Sequence, residues 1–466
     1  MSVLKKNKKY NFILITIDAL RKDHMSCYGY HRNTTPCINK IAENSSIFTN
    51  AFSVAPYTKP SMISLFTSTY PFDYGGYCFI NERRTIAEFL KLAGYLTIGI
   101  PNTPILSEKY GFNKGFNIFI SPLHVNNRSH FNTIMQKIRN NDKIYSLLQK
   151  IVSMIPKKRI PNFLKKLSIH TPYQDAKILT NLAINLLRNN LDSNFFLWLH
   201  YMDTHYPYKL REDEYKQINV SSISSHVLND INLLIKKYDC KNKNISKNIL
   251  NLIMQVYDSE IKFIDNNICN LMIFLKNNKL LEKTIIIITS DHGEEFLDHG
   301  AIQHSGCNNK THIYNELINV PLIVSIPYLE NKIIKNNVSL LDIMPTFLSL
   351  GNIEKVVKLK GKSLMNYIYT DENILNDDRI IISEASSYNK YRNIKNYEYD
   401  PRIISMICQN WKYVYDDNNA HKLFNLKNDP YENINLISEK LELLEYLKML
   451  LYKIRKYKPI IDMKIK

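Results

Sequence analysis

A chain of 466 residues can bury a large core, and its 45% hydrophobic and 22% charged content excludes wholesale disorder. A formal net charge of +18 predicts an anionic partner, but nucleic acid is discounted, because the lysines are scattered and no zinc-finger, RNA-binding or helix-turn-helix signature concentrates them. Seven cysteines (Cys27, Cys37, Cys78, Cys240, Cys269, Cys307 and Cys408) form no Cys-x-x-Cys pair and leave an odd count, so neither a disulfide framework nor a structural zinc site is indicated.

The apolar run that follows the basic start, Phe12 to Ile17, is cut by Asp18, too early for a signal peptide or a membrane span. It predicts a first core strand at 11–17 and, with the cysteine usage, a cytoplasmic protein in a reducing compartment. Asp18 stands at the end of that strand, where a turn or cap role competes with a ligand role. Arg21 is read as a surface charge or a phosphate clamp. Thr35 before Pro36 predicts the start of a helix with Ile38 and Ile41 facing inward.

In Ala55-Pro-Tyr-Thr-Lys-Pro-Ser61, Pro60 suits a first helical turn, so Thr58 and Ser61 stand at a helix N-terminus whose N–H groups and dipole favour an anion. A hydroxyl there either caps the helix or attacks an anionic ester. A helix over 85–94 and a strand over 95–100 follow. Residues 120–172 lose periodicity and gather prolines and basic residues, as in Pro156-Lys-Lys-Arg-Ile-Pro161. They predict a basic insertion, either a solvated surface or a stretch that touches a membrane surface or covers an active site.

Asp175 is expected to cap a helix with Ile178, Leu179, Leu182, Leu186 and Leu187 at helical spacing. The strand Phe195–Leu199 then runs into His200-Tyr-Met-Asp203-Thr-His205. Residues 209–248 carry a weak, Asn- and Lys-rich pattern, and 250–274 reads as a helix.

Ile285 to Thr289 predicts a strand buried on both faces that ends at Ser290-Asp291-His292-Gly293. An acid and an imidazole at the carboxyl end of a buried strand suit a divalent metal as well as a simple turn. His299, His304, Lys310 and His312 follow in a loop dense in anion donors. Val320–Ser325 is a further strand, 339–346 begins a helix, and the last ninety or so residues form smaller units, with 411–415 a strand and 439–457 a helix. No internal repeat is evident.

Taken in order, these stretches resemble the sulfatase family of the alkaline phosphatase superfamily. The resemblance rests on Ile17-Asp-Ala-Leu-Arg21, Thr35-Pro36, Ala55-Pro-Tyr-Thr-Lys-Pro-Ser61, His200-Tyr-Met-Asp-Thr-His-Tyr-Pro-Tyr208 and Tyr257-Asp-Ser-Glu-Ile261. It continues through Ser290-Asp-His-Gly-Glu294, Lys310 to Tyr314, Asn319-Val-Pro-Leu-Ile323 and Leu423-Phe-Asn-Leu-Lys-Asn-Asp-Pro-Tyr-Glu432.

The resemblance implies an α/β catalytic domain over 1–370, built on a large mixed sheet between helices, and a smaller C-terminal subdomain over 371–466 with a short antiparallel sheet. It implies that Asp18, Thr58, Asp291 and His292 surround one divalent cation (Mn²⁺, Zn²⁺, Mg²⁺ or Ca²⁺), and that His205 and Lys310 bind the anionic group or assist the leaving group. Arg21, His200, Asp203, His299 and His304 are expected around the substrate.

The chain departs from the family pattern at Thr58, where a Cys modified to formylglycine is usual, and at Met62, where Arg is frequent. Ala19 replaces the second Asp of an Asp-Asp pair, and Asn102 and Thr103 stand in place of a Lys-x-His pair. A threonine cannot become formylglycine, so the expectation is a hydrolase or transferase that acts on phosphate, or alternatively sulfate, esters through Thr58. The other expectations are a sulfuric ester hydrolase that dispenses with formylglycine, and a catalytically silent binder of anionic glycans or lipid head groups.

Overall fold

The computed structural model of the chain describes residues 9–74, 83–121, 173–238, 245–304, 311–354, 358–370, 379–386, 402–418 and 420–455. Nearly all of the expected basic insertion, and Lys310, lie outside the described residues.

The larger unit alternates strands and helices. Its first half contains β1 (Asn11–Ile17), α1 (Pro36–Ala42), β2 (Ser46–Phe52), α2 (Thr58–Thr67), α3 (Ile86–Leu92), β3 (Leu96–Pro101), β4 (Ile118–Phe119), α4 (Ala176–Arg188) and β5 (Phe195–Tyr201). The second half adds α5 (Glu212–Gln217), α6 (Ser225–Lys236), α7 (Lys247–Asn277), β6 (Thr284–Ser290), α8 (Asn315–Ile318), β7 (Asn319–Ser325), β8 (Lys332–Ile334), β9 (Val338–Ser339), α9 (Ile343–Leu350) and α10 (Met365–Tyr369). Nine strands form one mixed sheet in the order β4-β3-β5-β1-β6-β7-β2-β8, with β9 paired to β2.

The centre of that sheet is parallel. β1 pairs with β5 on one side and β6 on the other, with Thr16 opposite His200 and Ile17 opposite Ser290. All seven residues of each of these strands are buried, which is why they read as continuous apolar runs. Alternate side chains serve two cores. Ile13, Ile15, Leu197, Leu199, Ile286 and Ile288 pack under α4, α6 and α7, while Phe12, Leu14, Phe196, Trp198, Ile285 and Ile287 pack under α2, α3 and α9.

Two local expectations are corrected. Asp175 precedes α4, but its carboxylate makes no capping bond and is held by Lys209 and Arg211; Ile178 on that helix is 51% exposed. The polar stretch 209–248 contains α5 and α6, because Tyr215, Leu228, Ile231 and Ile235 reach the core although their neighbours are polar.

The smaller unit is an antiparallel sheet of β10 (Ile381–Ser386), β11 (Arg402–Cys408), β12 (Trp411–Asp416) and β13 (Lys422–Asn425), with α11 (Leu441–Arg455) packed on one face. Its other face joins Tyr57, Ile313, Leu317 and Ile318 of the larger unit. The buried Lys412–Glu432 pair, 2.7 Å apart, ties the two together, since Glu432 also accepts the Asn315 N–H. No described helix is long and apolar enough to cross a membrane.

Candidate active site

The register of the three central strands brings their carboxyl ends level, and each ends in groups that can ligate a cation. Asp18 follows β1, His200 is the penultimate residue of β5, and Asp291 and His292 follow β6; all four are fully buried. Thr58, 3% exposed, is the first residue of α2, with Tyr57 in the N-cap position.

The Thr58 hydroxyl donates to Asp18 Oδ2 at 3.0 Å and lies 3.2 Å from His292 Nε2. His292 Nε2 is 3.5 Å from Asp291 Oδ2 and 3.9 Å from Asp18 Oδ1, and His200 Nε2 is 3.5 Å from Asp18 Oδ2. One ligand atom from each of Asp18, His200 and Asp291 can be drawn within 4.8 Å of the others.

Each group is fixed from behind. Ala19, at φ 52, turns the chain sharply after Asp18, and the Tyr257 hydroxyl holds that turn by accepting from the Arg21 N–H and donating to the Ala19 carbonyl. Asp291 Oδ1 accepts the N–H groups of Ala19 and His292, while its carbonyl accepts from Ser53 and Ser61. His292 Nδ1 lies 2.7 Å from the Gly293 carbonyl, which sets that nitrogen as the donor and turns Nε2 toward Thr58. Gly293 has no room for a Cβ, since one would fall 1.8 Å from the Glu316 carbonyl oxygen.

The electrostatics suit a divalent cation. Burial, reinforced by the charge of Asp18, pushes the Asp291 carboxyl well above the carboxylate range. Burial would raise Asp18 too, but the three imidazoles around it, His200, His205 and His292, hold it below that range. Burial and then the neighbouring His304 push His292 down to about 3, so its imidazole is neutral and able to ligate. Asp18 Oδ1, Asp291 Oδ2 and His200 Nε2 have no hydrogen-bond partner, so their lone pairs are left for a cation to occupy. Ligands about 2.1 Å from a tetrahedral cation stand about 3.4 Å apart, close to the separations seen here.

Two more imidazoles face this cluster. The His304 ring centroid is 4.3 Å from that of His292 and 5.2 Å from that of His205. Burial opposes protonation of His304, but Glu294 at 3.2 Å raises its pKa above the ordinary histidine value. His205 turns Nδ1 to the Tyr206 carbonyl.

The remaining residues expected around the substrate are engaged elsewhere. Arg21 is bound by Asp23, Asp298 and the Glu294 carbonyl. Asp203 accepts from Arg211 and from the Ala176 N–H. His299 stacks on Tyr314 and pairs with Glu316 at 2.5 Å. Residues that sequence reasoning did not single out for the site are Thr16 and Trp198, within strands, and Ser53, just after β2, whose hydroxyls and indole support it and carry no motif. Glu294 was visible only as part of the Asp-His-Gly-Glu run. Where the sheets meet, a cavity of about 340 Å³ is lined by Thr311, His312, Tyr314, Asp416 and Lys422, with Thr311 bonded to Tyr57, the neighbour of Thr58.

Comparison with known proteins adds to this geometry. The family model described as Sulfatase matches residues 10–353, and that described as N-sulphoglucosamine sulphohydrolase, C-terminal, matches 304–458. The chain is 25% identical to mouse (Mus musculus) iduronate 2-sulfatase over 226 residues, 46% of this chain and 38% of the relative. It is 30% identical to human (Homo sapiens) arylsulfatase K over 168 residues, 34% of this chain and 28% of the relative. These matches thus span well under half of those relatives' lengths. Among solved structures, the phosphonate monoester hydrolase of Agrobacterium radiobacter superposes with a TM-score of 0.68 at 18% identity, covering 95% of each chain. A protein solved with its substrate D-glucosamine-2-N,6-O-disulfate superposes with a TM-score of 0.69 at 18% identity, covering 97% of this chain and 99% of the other.

Proposed function

The chain belongs to the sulfatase family, and from that premise we propose that it is a metal-dependent hydrolase or transferase acting on phosphate esters, with Thr58 as nucleophile. The observation that carries the proposal is the placement of the Thr58 hydroxyl, 3.0 Å from Asp18 and 3.2 Å from His292 at the start of α2.

Asp18, Asp291, His292 and Thr58 would hold one divalent cation, which when bound favours the Thr58 alkoxide and neutralises charge on the ester oxygens. The chain's own groups do the rest. Asp18 Oδ2 holds the Thr58 proton, and the first-turn N–H groups of α2 favour the anionic group. Thr58 Oγ1 forms a bond to phosphorus as the bond to the leaving oxygen breaks, and that oxygen takes a proton from His304 or His205, which flank the site. Water or an acceptor alcohol then releases the group from Thr58. Lys310, outside the described residues, is the further candidate for binding non-bridging oxygens.

The preference for phosphorus rests on the side chains at Thr58, Met62, Asn102 and Thr103, which offer neither formylglycine nor the Arg and Lys-x-His groups usual for sulfate. A second reading, cleavage of a sulfate ester without formylglycine, is supported by the sulfatase names of the curated relatives. The substrate body would be an anionic glycan or lipid head group, and contact with a membrane surface is part of the same proposal. A reducing, cytoplasmic setting is part of the same proposal and rests on the odd number of cysteines and the lack of a Cys-x-x-Cys pair in the sequence.

The test is hydrolysis of nitrophenyl phosphate, a bis-nitrophenyl phosphodiester and nitrophenyl sulfate by metal-loaded protein. Faster turnover of a phosphate mono- or diester is expected. Faster sulfate hydrolysis would transfer the assignment to the second reading, and no turnover of any of the three would favour a silent binder.

A further inference from the structure

We infer that His200 is itself a metal ligand through Nε2, with its ring fixed in the Nδ1–H form by Thr16 and Trp198; this rests on the metal-centre reading of the site. The position is opposite Thr16 in the β1–β5 ladder, one strand away from Asp18 and two from Asp291 and His292.

Three groups meet the Thr16 hydroxyl. The Trp198 indole N–H donates to it at 3.0 Å, His200 Nδ1 lies at 2.8 Å, and the Leu199 carbonyl lies at 3.3 Å. A hydroxyl has one proton and two lone pairs. If Nδ1 carries the ring proton, Thr16 accepts from Trp198 and His200 and donates to Leu199, and all three contacts are satisfied. If Nδ1 is bare, Thr16 spends its proton on it and the Leu199 contact is lost. The other end of the ring points to the same choice. A proton on Nε2 would have Asp18 Oδ2 at 3.5 Å as its neighbour, too long for a sound bond, and Nε2 makes no hydrogen bond at all.

With the proton on Nδ1, a bare Nε2 lone pair faces two buried carboxylates, Asp18 and Asp291, within the reach of one cation. A backing hydrogen bond to the remote ring nitrogen is how metal-binding histidines are commonly oriented. Ala19 bears no oxygen where the family's pattern carries a second Asp, and His200 supplies a donor that the ligand set would otherwise lack. Thr16 and Trp198 are then positioning residues, acting on the metal only through the His200 ring.

The experiment uses the full chain labelled with ¹⁵N-histidine, stripped with a chelator and titrated with Zn²⁺. Nitrogen spectra read the tautomer, and competition with a chromophoric chelator reads affinity. The inference expects a histidine with Nδ1–H whose Nε2 resonance moves when Zn²⁺ is added and which is missing from His200→Gln. It expects the Zn²⁺ dissociation constant to rise about 100-fold in His200→Gln and about tenfold in Thr16→Val, and to return close to the parent value in Thr16→Ser. If His200→Gln does not fold, the parent's tautomer and the Thr16 pair decide. Zn²⁺ bound equally well by the parent, His200→Gln and Thr16→Val, or a loaded His200 with its proton on Nε2, overturns the inference and leaves the metal centre standing. A parent that binds no Zn²⁺ overturns both.

Discussion

Asp291 shows how much of the site is second-hand geometry. One carboxylate oxygen is tied by two backbone N–H groups and its carbonyl by two serines, so only Oδ2 is left to face His292. Removing one first-contact group from such a centre should abolish tight metal binding without unfolding the chain, because the strand behind it is held by its ladder. Asp291→Ala and His292→Ala are therefore expected to purify folded by circular dichroism and to retain no stoichiometric metal by elemental analysis; full occupancy in both would remove the metal centre. Tyr257 acts on Asp18 at one remove. Tyr257→Phe leaves the Ala19 carbonyl and Arg21 N–H unpaired in a buried turn, at a cost of about 1–3 kcal/mol in urea unfolding. An unchanged midpoint would mean that the turn holds itself.

At the scale of elements, the end of β6 is set by one glycine. Gly293 lies where a Cβ would meet the Glu316 carbonyl at 1.8 Å, and its N–H donates to Leu317, so β6 leaves the sheet flush against α8. Gly293→Ala should displace the Asp291-His292 pair, lowering both melting temperature and metal affinity; a variant with parent values would show that α8 can yield. The three strands that carry the site were legible because β1, β5 and β6 are buried on both faces and read as unbroken apolar runs ending in Asp or His. β2 was not, since Ser46-Ile-Phe-Thr-Asn-Ala-Phe52 mixes polar residues into a strand paired only over long range with β7, β8 and β9. α5 and α6 hid in a polar stretch for the same reason. Asp18, Thr58, Asp291 and His292 could be named from motif position. The partners of Arg21, Asp203 and His299 could not, because Asp298, Arg211 and Glu316 are chosen by tertiary packing.

Across the whole molecule, several arginines and lysines are held in buried or half-buried ion pairs. Burial alone would raise the carboxyls of Asp23, Asp298 and Asp175, but Arg21 holds the first two, and Arg211 and Lys209 the third, below the usual carboxylate range. A carboxyl with a depressed folded-state pKa binds fewer protons folded than unfolded. Its contribution is present above the unfolded value of about 3.9 and is lost as pH falls through the folded value. The contribution of these three carboxyls should therefore hold from neutral pH to about 4 and be lost below it. Arg21→Met should flatten that acid limb in urea midpoints measured from pH 2 to 6; an unaltered slope would place the acid sensitivity in other groups.

Nucleophilic attack by Thr58 leaves the transferred group covalently bound to its Oγ1. Metal-loaded protein mixed with a reactive nitrophenyl phosphodiester and quenched in acid should yield a peptide carrying the transferred group on Thr58, identified by fragmentation mass spectrometry. Thr58→Ala should give no adduct and nearly no turnover while still binding metal. An unmodified Thr58 peptide in an enzyme caught turning over, or a Thr58→Ala variant as active as the parent, would contradict the account.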